Sequence, residues 1–306
     1  MRGEAFKKTF TLIKDGLPDQ STVDYVATRA AICCFKIPVL AMDDALDTDP
    51  LKNDFTSVYF GYSDIVTDVE LKLYKNDVLF GTLNSNTYGT FYDYGFHTDG
   101  KKTYTGYLIN WQSILNGVGL GEGNYYVKAV ATKLTGGTYE EDSFSYCLYA
   151  YTANRANGTI RIEFYNNGIL GDRNIDTDKV SYKNLNWYNS IRLKGIVLKE
   201  STTYENEMFQ YTNGQRDDIK DEQEPVYDVL IKPIPYFLHK FLRNDVLQST
   251  DLYISDYNAN CKLKPFLMQN LKRYGNYEPT YTPLTMNDDV TIQFIKKYNN
   301  LRKQHS

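Results

Sequence analysis

The chain has 306 residues, room for two ordinary domains at about 150 residues each. Its 34 Lys and Arg against 38 Asp and Glu give a formal charge of -4, which excludes a general electrostatic attraction to nucleic acid. Tyrosine, at 28 residues, supplies most of the aromatic content, and its apolar ring with a hydroxyl suits half-buried strand faces and wet interfaces between proteins.

From the N-terminus, "MRGEAFKKTFTLIKDGLPDQ" carries charge without the apolar core of a secretory signal. No stretch approaches the roughly 18 consecutive apolar residues of a membrane helix. A soluble protein made in the cytoplasm is expected. Residues 1–40 read as an extended N-terminal arm, with "FKKTFTLI" able to form a strand and the following segment extended or partly helical up to Pro38. The acid-rich "AMDDALDTDPLKND", broken at Pro50, marks the first domain boundary. Four cysteines make no disulfide framework: Cys33 and Cys34 are adjacent, where a bridge is strained, and Cys147 and Cys261 lack the paired spacing of a zinc site. Reduced thiols and no cofactor are expected.

Residues 41–156 are predicted to form an immunoglobulin-like β-sandwich. "VELKLY" and "VLFGTL" flank Lys75-Asn76-Asp77, a tight hairpin signal, and "YYVKAVAT" precedes a Gly136-Gly137 turn where positive φ is needed. "NWQSILN" reads as a helical turn. The "GVGLGEG" that follows it has the spacing GxGxGxG and leads into a strand, so it is a turn and not a phosphate loop. Short strands at such spacing define a sandwich. The next boundary falls near Asn154–Gly158, where "NGT" also makes a turn.

Residues 157–306 read as a second β-rich domain with a basic C-terminal tail. "TIRIEFY" ends at the turn Asn166-Asn167-Gly168, "NSIRLKGIVLKES" alternates for a strand with one buried face, and "EPVYDVLIKPI" and "TDLYISDY" are further strands. Between these last two, a short helix is expected near residues 235–243. Phe237, Leu238, Phe241 and Leu242 form its buried stripe, while His239 and Arg243 face solvent or a subunit contact.

No catalytic site is read from these residues. His239 would need a nucleophile and an orienting acid, no GxSxG elbow exists, and His97 and His305 fall in a turn and a tail. Asp172, Asn174, Asp176 and Asp178 alternate as at the start of a calcium loop, but Thr177 stands where an EF-hand needs Gly and Lys183 where it needs Glu. Turn chemistry accounts equally for these Asx residues. Charge is uneven: "RDDIKDEQEP" reads as an acidic loop with Asp217, Asp218, Asp221 and Glu222. The tail carries Lys296, Lys297, Arg302 and Lys303, and in a repeating assembly the loop of one copy can meet the tail of the next.

The stretch "QRDDIKDEQEPVYDVLIKPIPYFLHKFLRNDVLQSTDLYISDYN", with "NWYNSIRLKG" upstream, resembles virion structural proteins of tailed phages in the crAss-like group of gut Bacteroidota phages. More narrowly, it is similar to the ring proteins that stack below the portal to build the neck and tail barrel. The resemblance covers most of the chain loosely and is best from about residue 160 onward. It implies a non-enzymatic virion subunit in a closed ring of about twelve copies around a DNA-conducting channel. Its partners would be itself and adjacent ring, portal or tail proteins, with DNA only as passing content and no membrane. The alternative reading is a surface glycan-binding or adhesin-like β-sandwich, for which an exposed Trp111 or Trp187 would serve as the sugar platform.

Overall fold

The computed structural model describes residues 36–42, 53–62, 66–83, 87–96, 103–167, 186–214, 216–258, 269–279 and 287–297. Most of the expected N-terminal arm, Asp172 to Asp178, His97, Cys261, Arg302, Lys303 and His305 lie outside them. The described chain is mainly β, with two facing sheets in its first half and a closed barrel in its second.

The sheets of the first half are built from nine strands. They are β1 (Lys36–Ala41), β2 (Phe55–Tyr62), β3 (Val66–Lys75), β4 (Val78–Thr82) and β5 (Gly89–Phe96), then β6 (Thr103–Asn110), β7 (Gly123–Lys133), β8 (Thr138–Asp142) and β9 (Ser145–Ala150). One sheet runs β1-β9-β7-β3-β4 with β8 also on β7, and the other runs β2-β6-β5. The chain crosses between the sheets after β1, β2, β4 and β6, and its first strand pairs in parallel with its last. This is the connectivity of an immunoglobulin-like sandwich. Because β1 begins at Lys36, the last residues assigned to the arm belong to the sheet.

Local chemistry explains the turns. Asn76 and Asp77 hold φ of 49° and 65°, the paired left-handed conformations of a two-residue hairpin turn. The Gly136-Gly137 pair closes the β7–β8 hairpin, and "TYEED" beyond it forms strand β8. Helix α1 (Trp111–Leu115) is capped by Asn110, whose side chain accepts the Ser113 N–H at 3.2 Å. It delivers Trp111 into the core between the sheets. There the indole donates to Thr56 Oγ1 at 2.9 Å and packs on Tyr146 and Tyr125, with ring centroids 5.3 and 6.1 Å away.

After α2 (Ala153–Ala156), six strands close on themselves in the order β10-β11-β12-β15-β14-β13. Their ranges are β10 (Thr159–Asn167), β11 (Asn186–Gln210), β12 (Arg216–Pro235), β13 (Asp251–Asp256), β14 (Gln269–Tyr274) and β15 (Asn287–Lys296). Closure removes the edges of the sheet within the barrel, though not along the far halves of β11 and β12. Ile160, Ile162, Phe164, Leu193, Val229, Ile254, Ile292 and Phe294 are buried core residues of these strands. Gly195 is needed where β11 meets β12, since a Cβ there would lie 2.6 Å from the Leu230 carbonyl oxygen.

Three expectations need correcting. "NSIRLKGIVLKES" does not bury one face only: Asn189 through Leu193 are all buried, because β2 and the residue before it pack on the outside of the barrel there. "RDDIKDEQEP" is no loop but the first half of β12, paired with β11 across a bulge at Ile219. His239 is buried at 1% exposure and does not face solvent. Its helix α3 (Tyr236–Phe241) continues into a π-helical turn, Leu242–Val246, and Tyr277, beyond β14, packs against the histidine.

Candidate assembly interface

Three places in the fold collect polar or unusual chemistry. The first joins sandwich to barrel. Arg161 of β10 and Arg192 of β11 are directly opposed in the ladder and nearly inaccessible, an arrangement that would repel on its own. Asp54, the residue before β2, sits between them at 3% exposure. Its carboxylate accepts from Arg192 Nε at 2.7 Å and Nη2 at 2.8 Å, and from the Leu40 N–H at 2.8 Å. Arg161 Nε lies 3.2 Å from Asp54 Oδ1, and its Nη2 lies 2.7 Å from Glu163 Oε1. Two buried cations are therefore balanced by the buried Asp54 and the partly exposed Glu163. Burial works against the charge of Arg192, but Asp54 overrides it and holds the guanidinium above its usual pKa. For Glu163 the balance runs the other way, and burial pushes its carboxyl up against the pull of Arg161.

Ser190 and Asn189 extend this seam. The Ser190 hydroxyl donates to Phe55 O at 2.6 Å, and the Asn189 amide both accepts from Ser57 N–H at 3.0 Å and donates to Ser57 O at 3.1 Å. Sandwich and barrel are held by paired, buried groups, which makes the cluster a structural rivet with no access for a substrate.

The second place is α3. Its Leu238, Phe241 and Leu242 are buried, as the spacing predicts, and the Phe241 ring meets Phe164 of β10 at 5.8 Å and Phe144 of the sandwich at 6.0 Å, both edge-on. The helix is a wedge between the two units. His239 Nδ1 lies 2.6 Å from the Tyr277 hydroxyl and anchors the segment after β14. Arg243 is exposed, as expected. The Phe237 side chain lies outside the description.

The third place is the far half of the β11–β12 hairpin. β10 leaves β11 after Lys194, and β15 leaves β12 at Val226. From Thr202↔Pro225 to Gln210↔Arg216 the two strands pair only with each other among the described residues. Nine residues of β11 at ~3.3 Å each make a ribbon roughly 30 Å long. Between Thr202 and Pro225 the sequence holds seven carboxylates (Glu205, Glu207, Asp217, Asp218, Asp221, Glu222, Glu224) and two bases (Arg216, Lys220), a formal -5. The rest of the chain is then +1, since the total is -4.

The structure therefore gathers Asp217, Asp218, Asp221 and Glu222 on one strand of a ribbon. Lys296 and Lys297 lie at the end of β15 rather than in a tail: Lys296 Nζ is 6.0 Å from the Tyr227 ring, and Lys297 is bound to Asp251 and to Thr250 O. The Asp54 cluster escaped sequence reading because its partners are up to 138 residues apart. A fourth surface is β4, at the edge of its sheet among the described residues, where Val78, Leu79 and Phe80 are exposed and the Phe80 ring lies near Gly119. Among the described residues no three His, Cys, Asp or Glu come together as a metal group, and no helix is long and apolar enough to cross a membrane.

Comparison with protein-family models finds no match for this chain, and comparison with curated proteins finds none.

Proposed function

We propose that the chain is a virion structural protein: a ring subunit of a phage neck or tail barrel that forms part of a DNA-conducting channel. The observation that carries this reading is the acidic β11–β12 ribbon, which leaves the barrel and pairs with nothing else in the described chain. A two-stranded ribbon is marginal in water by itself and is built for a setting that supplies neighbours. Carried into the centre of a ring, its formal -5 repels phosphate, so DNA passes without adhering. The sequence resemblance to the crAss-like ring proteins points the same way, and the buried rivet gives a subunit that bears load as one body. Two different faces of each copy meet in such a ring, which closes by rotation.

The adhesin-like reading has less support. Trp111 is 1% exposed, with its indole N–H held by Thr56, and offers no platform for a sugar, while the side chain of Trp187 lies outside the described ones.

Light scattering on the chromatographed full-length protein tests the proposal. A mass of about twelve chains is expected. A monomer at every concentration and salt condition, or a two-fold dimer, counts against it.

A further inference from the structure

We propose that the apolar edge at β4 is covered by the chain's own N-terminal segment, residues 6–13, added to the sheet as an antiparallel strand. The contact is separate from the ring reading and holds for a single copy.

β4 ends its sheet, with β3 on one side and no strand on the other among the described residues. Val78, Leu79 and Phe80 are 69%, 50% and 40% exposed, and the Phe80 ring lies near Gly119, next in sequence to the 96% exposed Val118. Successive residues of a strand point to opposite faces, so this end of the edge is apolar on both. The other end is acidic. Asp68, Glu70 and Thr82 line a cavity of about 330 Å³ there. Glu70 is engaged by Lys72 at 3.1 Å and by the Thr82 hydroxyl at 2.9 Å, whereas Asp68 has no cation among the described residues. An open edge of this kind is a template for one more strand.

"FKKTFTLI", which lies outside the described residues, carries the complementary pattern: Lys7 and Lys8 lead, and Phe10, Leu12 and Ile13 follow. Running antiparallel to β4, it sets its lysines at the Asp68 end. Leu12 and Ile13 then meet Leu79 and Val78, one on each face. The parallel direction would set the lysines on the apolar end instead. A bulge leaves Phe80 without a partner on β3 and interrupts the edge, so side chains carry more of this contact than the ladder does.

Register brings the chain back to the right place. Ile37, Tyr146, Tyr125, Lys75 and Val78 form one row across the sheet, from β1 to β4. The added strand ends on that row, and β1 begins beside it. Four strand spacings of ~4.8 Å put the two about 19 Å apart. Residues 14–35 join them, and that length of chain spans up to about 70 Å. Such a tether holds the segment at roughly millimolar effective concentration, above that of a second copy in dilute solution. Tethering therefore selects the chain's own edge for this strand addition.

Hydrogen exchange on the full chain tests this, set beside the variant Phe10→Asp/Leu12→Asp, which removes the apolar contacts of the segment. In the unaltered chain, residues 6–13 and the outward amides of 78–82 should exchange at least about tenfold more slowly than in the variant. The difference should be the same at every protein concentration. Asp68→Lys, at an exposed residue and with the segment untouched, should also speed the exchange. Adding Lys7→Asp and Lys8→Asp to it should restore the slow rate.

Equal exchange in the unaltered chain and the Phe10→Asp/Leu12→Asp variant overturns the proposal. So does protection that grows with protein concentration, which gives the edge to another copy, or a charge swap that restores nothing. None of these outcomes touches the mass of the assembly, on which the ring reading stands or falls.

Discussion

Asp54 is the residue on which the two halves of the molecule turn. Removing its charge leaves Arg161 and Arg192 opposed and desolvated, with Glu163 alone to balance them. Asp54→Asn should cost about 3–5 kcal/mol, read as a lower urea midpoint with an unchanged slope. Glu163 should show the reverse of ordinary carboxylate behaviour. Its folded pKa is raised above the ordinary 4.5, chiefly by burial, so the folded protein binds that proton more tightly than the unfolded chain. The stability it contributes rises as pH falls through the folded value and is fully gained below the unfolded one. Glu163→Gln should flatten that rise in unfolding free energy measured between neutral pH and about pH 4. His239 belongs to the same scale. Placing it on a solvent face from i, i+4 spacing with Arg243 misses Tyr277, which is 38 residues on and reaches across to cover it. His239→Ala should cost roughly 1–3 kcal/mol rather than nothing, because it strands the buried end of that hydrogen bond.

Elements with local causes were legible in the sequence. The Asn76-Asp77 hairpin, the Gly136-Gly137 turn and the α1 turn before the glycines each follow from a few adjacent residues, and the structure places them there. The apolar stripe of α3 was legible too, through Leu238, Phe241 and Leu242. Phe241→Ala should cost about 3–5 kcal/mol, since its ring fills the contact between Phe164 and Phe144, and a thermal melt of the variant checks this. What spacing could not show was strand in a run of charge. Residues 216–225 hold too little apolar pattern to mark a period of two, and only their pairing with β11 makes them β. Asp77 offers a converse check: at φ 65° it holds a left-handed conformation that glycine takes without strain. Asp77→Gly should raise stability by roughly 0.5–1 kcal/mol.

At the scale of the molecule, two β units with local hairpins are joined by contacts of long range. The sandwich strands run to Ala150 and the barrel strands start at Thr159, but the rivet and the wedge depend on residues far apart in the chain. Their consequence is two β units joined through a buried seam, with an acidic ribbon that pairs with no other described strand. Electron microscopy of the purified full-length protein tests that account most directly. The account predicts closed rings of about twelve copies with the ribbon density lining a central channel. Single particles, two-fold pairs, or rings whose ribbons point outward from the axis would contradict it.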